Sequence, residues 1–203
     1  MKGALMEVII LSKEYPPHTY GGAGVHVEHL CPALAKVDKG MHRVKVFCFG
    51  DQNSRDKNLV VRGIDPAVVS PRQDSRHRGV LDALLRNVFM VGSVPTADII
   101  HCHTWYTYLA GCLLKQIIDT PLVVTAHSLE PLRPWKQEQL GRGFKASAWL
   151  EKTAFENADG IIAVSNAMKR DIQRIYNVPA EKIFVIYNGI DTKVYVPKKN
   201  LWS

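Results

Sequence analysis

DIIHCHTWYTYLAGCLLKQIIDTPLVVT, running from Asp98 to Thr125, holds one full turn of the pattern that decides the fold. Asp98 to Cys102 is a short apolar, β-branched run and reads as a strand. Tyr106 to Ile118 spaces its apolar residues at helical intervals, and Leu122 to Thr125 returns to a strand. The same alternation continues downstream. Ala146 to Asn157 predicts a helix, Gly160 to Val164 a strand, Asn166 to Tyr176 a helix capped near Ser165, and Lys182 to Ile186 a last strand. Upstream, Leu5 to Leu11 predicts a strand, followed by a Pro/Gly-rich loop and a helix over Val25 to Val37. Val44 to Phe49 is a strand that stops at Gly50. Asp51 to Arg78 is polar and irregular, with one short strand at Leu59 to Arg62, and Val80 to Val91 predicts another helix.

Strands alternating with helices demand a parallel sheet covered on both faces, because each crossover helix must bury its apolar stripe on the sheet. Right-handed crossovers leave a doubly wound, Rossmann-like α/β domain as the predicted fold. Ligands of such sheets bind beyond the carboxyl ends of the strands. The loops after Leu11, Cys102, Thr125 and Val164 are therefore expected to converge on one crevice. The domain is assigned to residues 1–187. Tyr187-Asn188-Gly189-Ile190-Asp191 is a turn signal, Val194 to Pro197 looks extended, and 188–203 reads as a linker toward a second domain.

Composition narrows the function classes. At 203 residues with 46% hydrophobic and 22% charged, the chain can build one substantial core. Its apolar runs fall far short of the ~20 residues that span a bilayer, so no membrane span is expected. Nor is a secretory signal. Cys31, Cys48, Cys102 and Cys112 lack C-x-x-C spacing and read as small buried hydrophobes of a cytoplasmic protein. The net charge of +7 is spread along the chain without a basic run, which argues against a nucleic-acid partner and suits phosphate-bearing substrates.

Three strand-end segments carry the chemistry. Glu14 to Gly24 joins the first strand to its helix, and its glycines let backbone N–H groups approach a phosphate at the helix start. The spacing Gly21-Gly22-Ala23-Gly24 does not fit the dinucleotide fingerprint, which demotes a dehydrogenase. His101-Cys102-His103-Thr104-Trp105 ends the middle strand, where alternate side chains share a face, so that either His101 and His103 point together or one is buried and the other faces the crevice. A metal hydrolase built on that pair needs further ligands, and none has ligand spacing in the sequence, so no metal is expected. Thr125-Ala126-His127-Ser128 ends the next strand and brings a third histidine to the same edge. Trp105, Tyr106, Tyr108 and Trp135 offer rings for sugar faces, whereas Trp149 is expected in the core.

Lys13-Glu14-Tyr15-Pro16-Pro17 followed by Gly21-Gly22-Ala23-Gly24-Val25-His26 resembles the opening of the GT4-family glycogen synthases of actinomycete and archaeal type. The resemblance runs on through His101 to Tyr106, the long block Thr125 to Gly141, Trp149 to Ala154, Ile162 to Ser165, and Tyr187 to Thr192. It implies the N-terminal, acceptor-side domain of a retaining GT-B glycosyltransferase. Such an enzyme moves glucose from ADP-glucose or UDP-glucose to an α-1,4-glucan, without a metal or other cofactor. By that resemblance His127 lies near the reacting sugar as the catalytic histidine, and Gly21, Gly22, Lys13 and Glu14 near the donor phosphates and sugar. His103, Thr104, Trp105 and Trp135 are assigned to the acceptor side of the cleft. Thr104 departs from the family: better-known bacterial starch and glycogen synthases carry aspartate there, while the maltose-1-phosphate-forming relatives resemble this chain. The acceptor therefore stays open between an α-glucan and a glucose phosphate. The family's nucleotide-gripping Arg and Lys belong to a C-terminal domain outside these residues, so the chain alone is expected to be inactive. The competing expectation is a stand-alone carbohydrate-binding or regulatory module. A partly apolar outer face would further let copies self-associate.

Overall fold

The computed structural model describes residues 4–65, 77–136 and 143–192. Eight strands make one sheet: β1 (Glu7–Ser12), β2 (Arg43–Phe49), β3 (Asn53–Asp56), β4 (Leu59–Ile64), β5 (Ile99–His103), β6 (Leu122–Ala126), β7 (Gly160–Ala163) and β8 (Ile183–Val185). The described α-helices are α1 (Gly22–Leu34), α2 (Arg78–Ser93), α3 (Trp105–Ile118), α4 (Gly143–Asn157) and α5 (Asn166–Tyr176). Strand order is β3-β4-β2-β1-β5-β6-β7-β8, with every pair parallel except β3 and β4. None of these helices is long and apolar enough to cross a membrane.

The topology fixes where a ligand can sit. From β1 the chain moves through α1 to β2 on one side, and later through α2 to β5 on the other. The order thus reverses between β1 and β5, and the loops leaving their carboxyl ends part to open a crevice. Right-handed crossovers then put α1 on one face and α2 to α5 on the other. The two cores follow this division. Ile10, Val44, Val46 and Cys48 pack against Val27 and Cys31 of α1. Ile9, Leu11, Ile100, Cys102, Leu122, Val124 and Ile161 pack against Met90, Tyr108, Leu114, Phe155 and Ile172 from the other four helices. At roughly 1.5–3 kcal/mol for each large side chain taken from water, the second core is the larger store of stability. Gly111 lets α3 lie close on the sheet, since a Cβ there would collide with Cys102 and Leu122.

Local signals in the sequence are obeyed at several ends. Ser165 caps α5, its Oγ accepting the Met168 N–H at 3.0 Å, and Asn177 closes the helix in the left-handed region. Cys31, Cys48 and Cys102 are buried free thiols, and Cys112 is half-buried. Two differences concern pattern. Asn53–Asp56 pairs antiparallel with β4 although all four side chains are exposed, so no hydrophobic alternation marks it. Its strand form comes from hydrogen bonding to the sheet edge and from Lys57, which turns the hairpin at φ 45°. The second difference is Trp149, which is 61% exposed instead of in the core. The inward stripe of α4 is Ser147, Leu150, Glu151, Ala154 and Phe155, and Trp149 falls outside that register.

Apolar surface does occur on the α1 side of the sheet beyond α1, where Phe184 and Ile186 are exposed beside Val123 and Ile162. The extended reading of Val194 to Pro197, the end of the linker assignment and the tail of the Thr125 to Gly141 block lie outside the described residues.

Candidate active site

β1 ends at Ser12, and the next residues build one wall of a cleft. The Ser12 hydroxyl donates to the Glu14 carbonyl at 2.8 Å, curling the chain so that the Glu14 carboxylate turns toward α1. That carboxylate accepts the N–H groups of Tyr20 and Gly21, each at 2.8 Å. Helix α1 consequently begins at Gly22, three residues earlier than the apolar pattern suggests. A carboxylate that binds N–H groups just before a helix compensates for the poor helix propensity of its first residues. Glu14 therefore holds the loop in place.

The glycines divide their roles. A Cβ on Gly24 would lie 2.5 Å from a Glu14 carboxylate oxygen and 2.9 Å from the Thr19 methyl, so Gly24 is required for packing. Among the described residues Gly22 has nothing within 4 Å of where a Cβ would be, which leaves the start of α1 open to a ligand.

β5 and β6 supply the opposite wall. His103 is fully buried at the end of β5, and its Nδ1 lies 3.1 Å from Nε2 of His127, just past β6. His26, one turn into α1, completes a cluster: its ring centroid is 5.0 Å from His127 and 5.5 Å from His103. His101 sits below, 4.3 Å from the His103 ring and bonded to the Thr125 hydroxyl at 2.7 Å. Burial disfavours the charged imidazolium in each case. His127 is pushed down to about 4, with His26 adding to the effect, and His101 to about 3. His103 falls well below its ordinary value, and His26 is lowered against the opposing pull of a hydrogen bond to Asn188. The cluster is thus neutral at pH 7, suited to hydrogen-bonding a hydroxyl rather than attracting an anion.

Positive charge comes from elsewhere. Lys13, Arg133 and Lys136 line the same cleft, which has a volume of about 520 Å³. Lys13 Nζ lies 4.1 Å above the Tyr106 ring, and Tyr106 stacks on Trp105 at 4.0 Å. Burial lowers both lysines, that of Lys136 being opposed by Glu130. Glu130 is buried and lies 3.5 Å from Lys136 and 3.7 Å from Arg133, with the Ser147 hydroxyl donating to it at 2.8 Å. Its neighbour Glu151 accepts the Glu130 N–H at 2.8 Å and the Tyr176 hydroxyl. Burial raises Glu151 to about 8, so at pH 7 it is mostly protonated and the cleft keeps a net positive charge.

Of the residues singled out in the sequence, Lys13, Glu14, Gly21, Gly22, Thr104, Trp105 and His127 line one cleft. His103 stands behind His127. Trp135 is 57% exposed and outside the cleft lining, because the turn from Arg133 to Lys136 points those two cations inward and the indole out. Tyr108 is buried, its hydroxyl spent on the Thr125 carbonyl at 3.0 Å. The loop after Val164 does not reach the cleft; Asn188, after β8, does. His26, Glu130, Glu151 and Asn188 join the site without a motif of their own in the sequence. Signals for two existed: His26 is one helical turn from Gly22, and Glu151 is an acid on the core stripe of α4.

Thr104 has an unusual backbone, φ 66° and ψ 158°, a region close to exclusive to glycine. Its hydroxyl and the Trp105 indole N–H are buried without hydrogen-bond partners among the described residues. Such strain costs about 1–3 kcal/mol, while glycine's extra chain entropy costs about 0.5–1. Thr104→Gly is therefore expected to raise stability by about 1 kcal/mol, read as a higher urea midpoint at unchanged m-value. A lower midpoint would mean that the threonine side chain anchors this turn.

The family model described as Glycosyltransferase Family 4 matches residues 20–194. Alpha-maltose-1-phosphate synthase of Mycolicibacterium smegmatis is 44% identical over 193 residues, covering 95% of this chain and 46% of that protein. A glycogen synthase of Mycobacterium tuberculosis is 28% identical, covering 92% of this chain and 49% of that one. The chain thus spans about half the length of the curated relatives it matches. Among solved structures, sucrose-phosphate synthase from Thermosynechococcus elongatus aligns with a TM-score of 0.67 at 19% identity, over 94% of this chain and 50% of that one. The catalytic domain of starch synthase IV from Arabidopsis thaliana, bound to ADP and acarbose, aligns at 0.65 and 18%, over 98% and 54%. These likenesses identify the sheet as a GT-B Rossmann-like domain. With the family model matched from the glycine loop to the end of the described residues, the chain belongs to glycosyltransferase family 4.

Proposed function

We propose that this chain forms the acceptor-side half of a retaining glucosyltransferase that moves glucose from ADP-glucose or UDP-glucose to an α-linked glucose acceptor. The observation that carries the proposal is the pairing, across one cleft, of an open helix start at Gly22 with the neutral imidazole of His127. The first attracts a diphosphate; the second hydrogen-bonds a sugar hydroxyl without competing for that phosphate. Fixed positive charge for the leaving diphosphate would be completed by a second domain, so the chain alone is expected to be silent.

Lys13, Arg133 and Lys136 favour a glucose phosphate as acceptor over a neutral glucan end, and Thr104 adds no carboxylate to repel it. The resemblance to maltose-1-phosphate synthases supports the same choice. The test is transfer from each nucleotide to glucose 1-phosphate and to glycogen, by the chain alone and by the chain joined to the second half of a relative. Transfer to glucose 1-phosphate by the joined protein, weakened at least about tenfold by Arg133→Ala, is expected. Transfer only to glycogen, indifferent to Arg133, would reassign the acceptor. Saturable glycogen binding with no transfer in a folded joined protein would favour the binding-module reading.

A further inference from the structure

We propose that His26, His103 and His127 form a site for a borderline divalent transition ion of the zinc class. Each offers a ring nitrogen, and these three atoms lie within 4.8 Å of one another. The His103–His127 nitrogens, at 3.1 Å, are already nearly as far apart as two ligands of one tetrahedral zinc, which at bond lengths of about 2.05 Å sit roughly 3.3 Å apart. Bringing in the third ligand takes a shift of His26 of at most roughly 1.5 Å by the same geometry, within reach of a half-exposed side chain.

The ligand set is made of neutral imidazoles without a carboxylate, the donor type that suits zinc, copper and nickel over magnesium or calcium. Asn188, hydrogen-bonded to His26, is placed to orient that ligand from outside. Sequence spacing hid the set, because its members come from α1, the end of β5 and the end of β6, and the eye is drawn to His101, which bonds Thr125 instead.

His127 also lines the sugar cleft, so an ion held here would take that imidazole from a sugar, and the site would be inhibitory toward transfer. The binding claim itself does not depend on any transfer activity. The test uses the chain freed of any affinity tag, titrated with Zn2+ by calorimetry and with Co2+ by visible absorption. One ion per chain is expected, with the intense absorption of four- or five-coordinate cobalt. Asn188→Ala is expected to weaken binding by roughly tenfold and His26→Gln by more than that. His29→Gln, which removes an exposed imidazole from the same helix, should change nothing. His26→Gln spares the buried core, so its result is readable even if a His103 variant fails to fold. Absence of saturable binding, binding indifferent to His26→Gln, or weak octahedral cobalt absorption would each overturn the site.

Discussion

His127→Ala, in the chain joined to a second glycosyltransferase half, is expected to lower kcat/KM for glucosyl transfer by roughly 10²–10³-fold, the usual cost of deleting one preorganised hydrogen-bonding group at a reacting centre. The imidazole is preorganised by three things on the structure: the end of β6 that carries it, the 3.1 Å contact from His103 to its Nε2, and the His26 ring against its edge. That contact leaves Nδ1 with no hydrogen bond among the described residues. The loss should fall mainly on kcat, because a bond to a sugar hydroxyl that tightens as charge develops contributes little to ground-state binding. Nucleotide affinity, which the proposal assigns to the α1 start and a second domain, should hardly move. Transfer rates within about threefold of the parent, measured as initial velocities at saturating donor, would remove His127 from the chemistry altogether.

Glu151→Gln is expected to flatten part of the protein's pH-stability profile. Glu151 ionises near 4.5 when unfolded and near 8 in the fold, because burial disfavours its anion more than its hydrogen bonds favour it. The folded state therefore keeps a proton that the unfolded state releases. Stability from this group is intact below about pH 4.5, falls as pH rises through the window up to about 8, and is level above it; the total is on the order of a few kcal/mol. The histidine cluster acts in the opposite sense. Its lowered values mean that stability is present above about pH 6.5 and is lost as pH falls. Because the two effects overlap, the check is the difference between parent and variant urea midpoints at pH 5 and pH 8. Glutamine keeps an acceptor for the Glu130 N–H and the Tyr176 hydroxyl, so the variant should gain on the parent at pH 8 and not at pH 5. A constant difference at both values would show that Glu151 is ionised throughout.

Which parts of this were readable beforehand follows from range. The strands β1, β2, β5, β6 and β7, the helix α5 with its Ser165 cap, and the convergence of three strand ends on one crevice are set by local patterns of period 2 and 3.6 and by the handedness of crossovers. Those patterns repeat within a dozen residues and need no knowledge of neighbours. The polar strand β3 was invisible because its causes, the edge of β4 and the turn at Lys57, leave no hydrophobic alternation in its own residues. The early start of α1 was invisible because Glu14, seven residues before Gly21, binds the donors there.

The same division runs through the site. His127, Gly21 and Gly22 stand out along the chain, since histidine and glycine at strand ends carry their chemistry with them. What each of them does depends on partners that only folding brings near. His127 is a neutral imidazole because burial disfavours its charged form, with His26, 101 positions away in the chain, adding to the effect. Glu14 is a loop anchor because its carboxylate accepts the Tyr20 and Gly21 N–H groups. Trp149 and Trp135 face outward because helix register and a tight turn outrank the hydrophobicity of a single ring. Residue type and local period are written one position at a time and set the layers, the edge and the identity of the reactive groups. Charge state, burial and grouping are properties of the space between distant segments, and are decided only when the sheet closes that space.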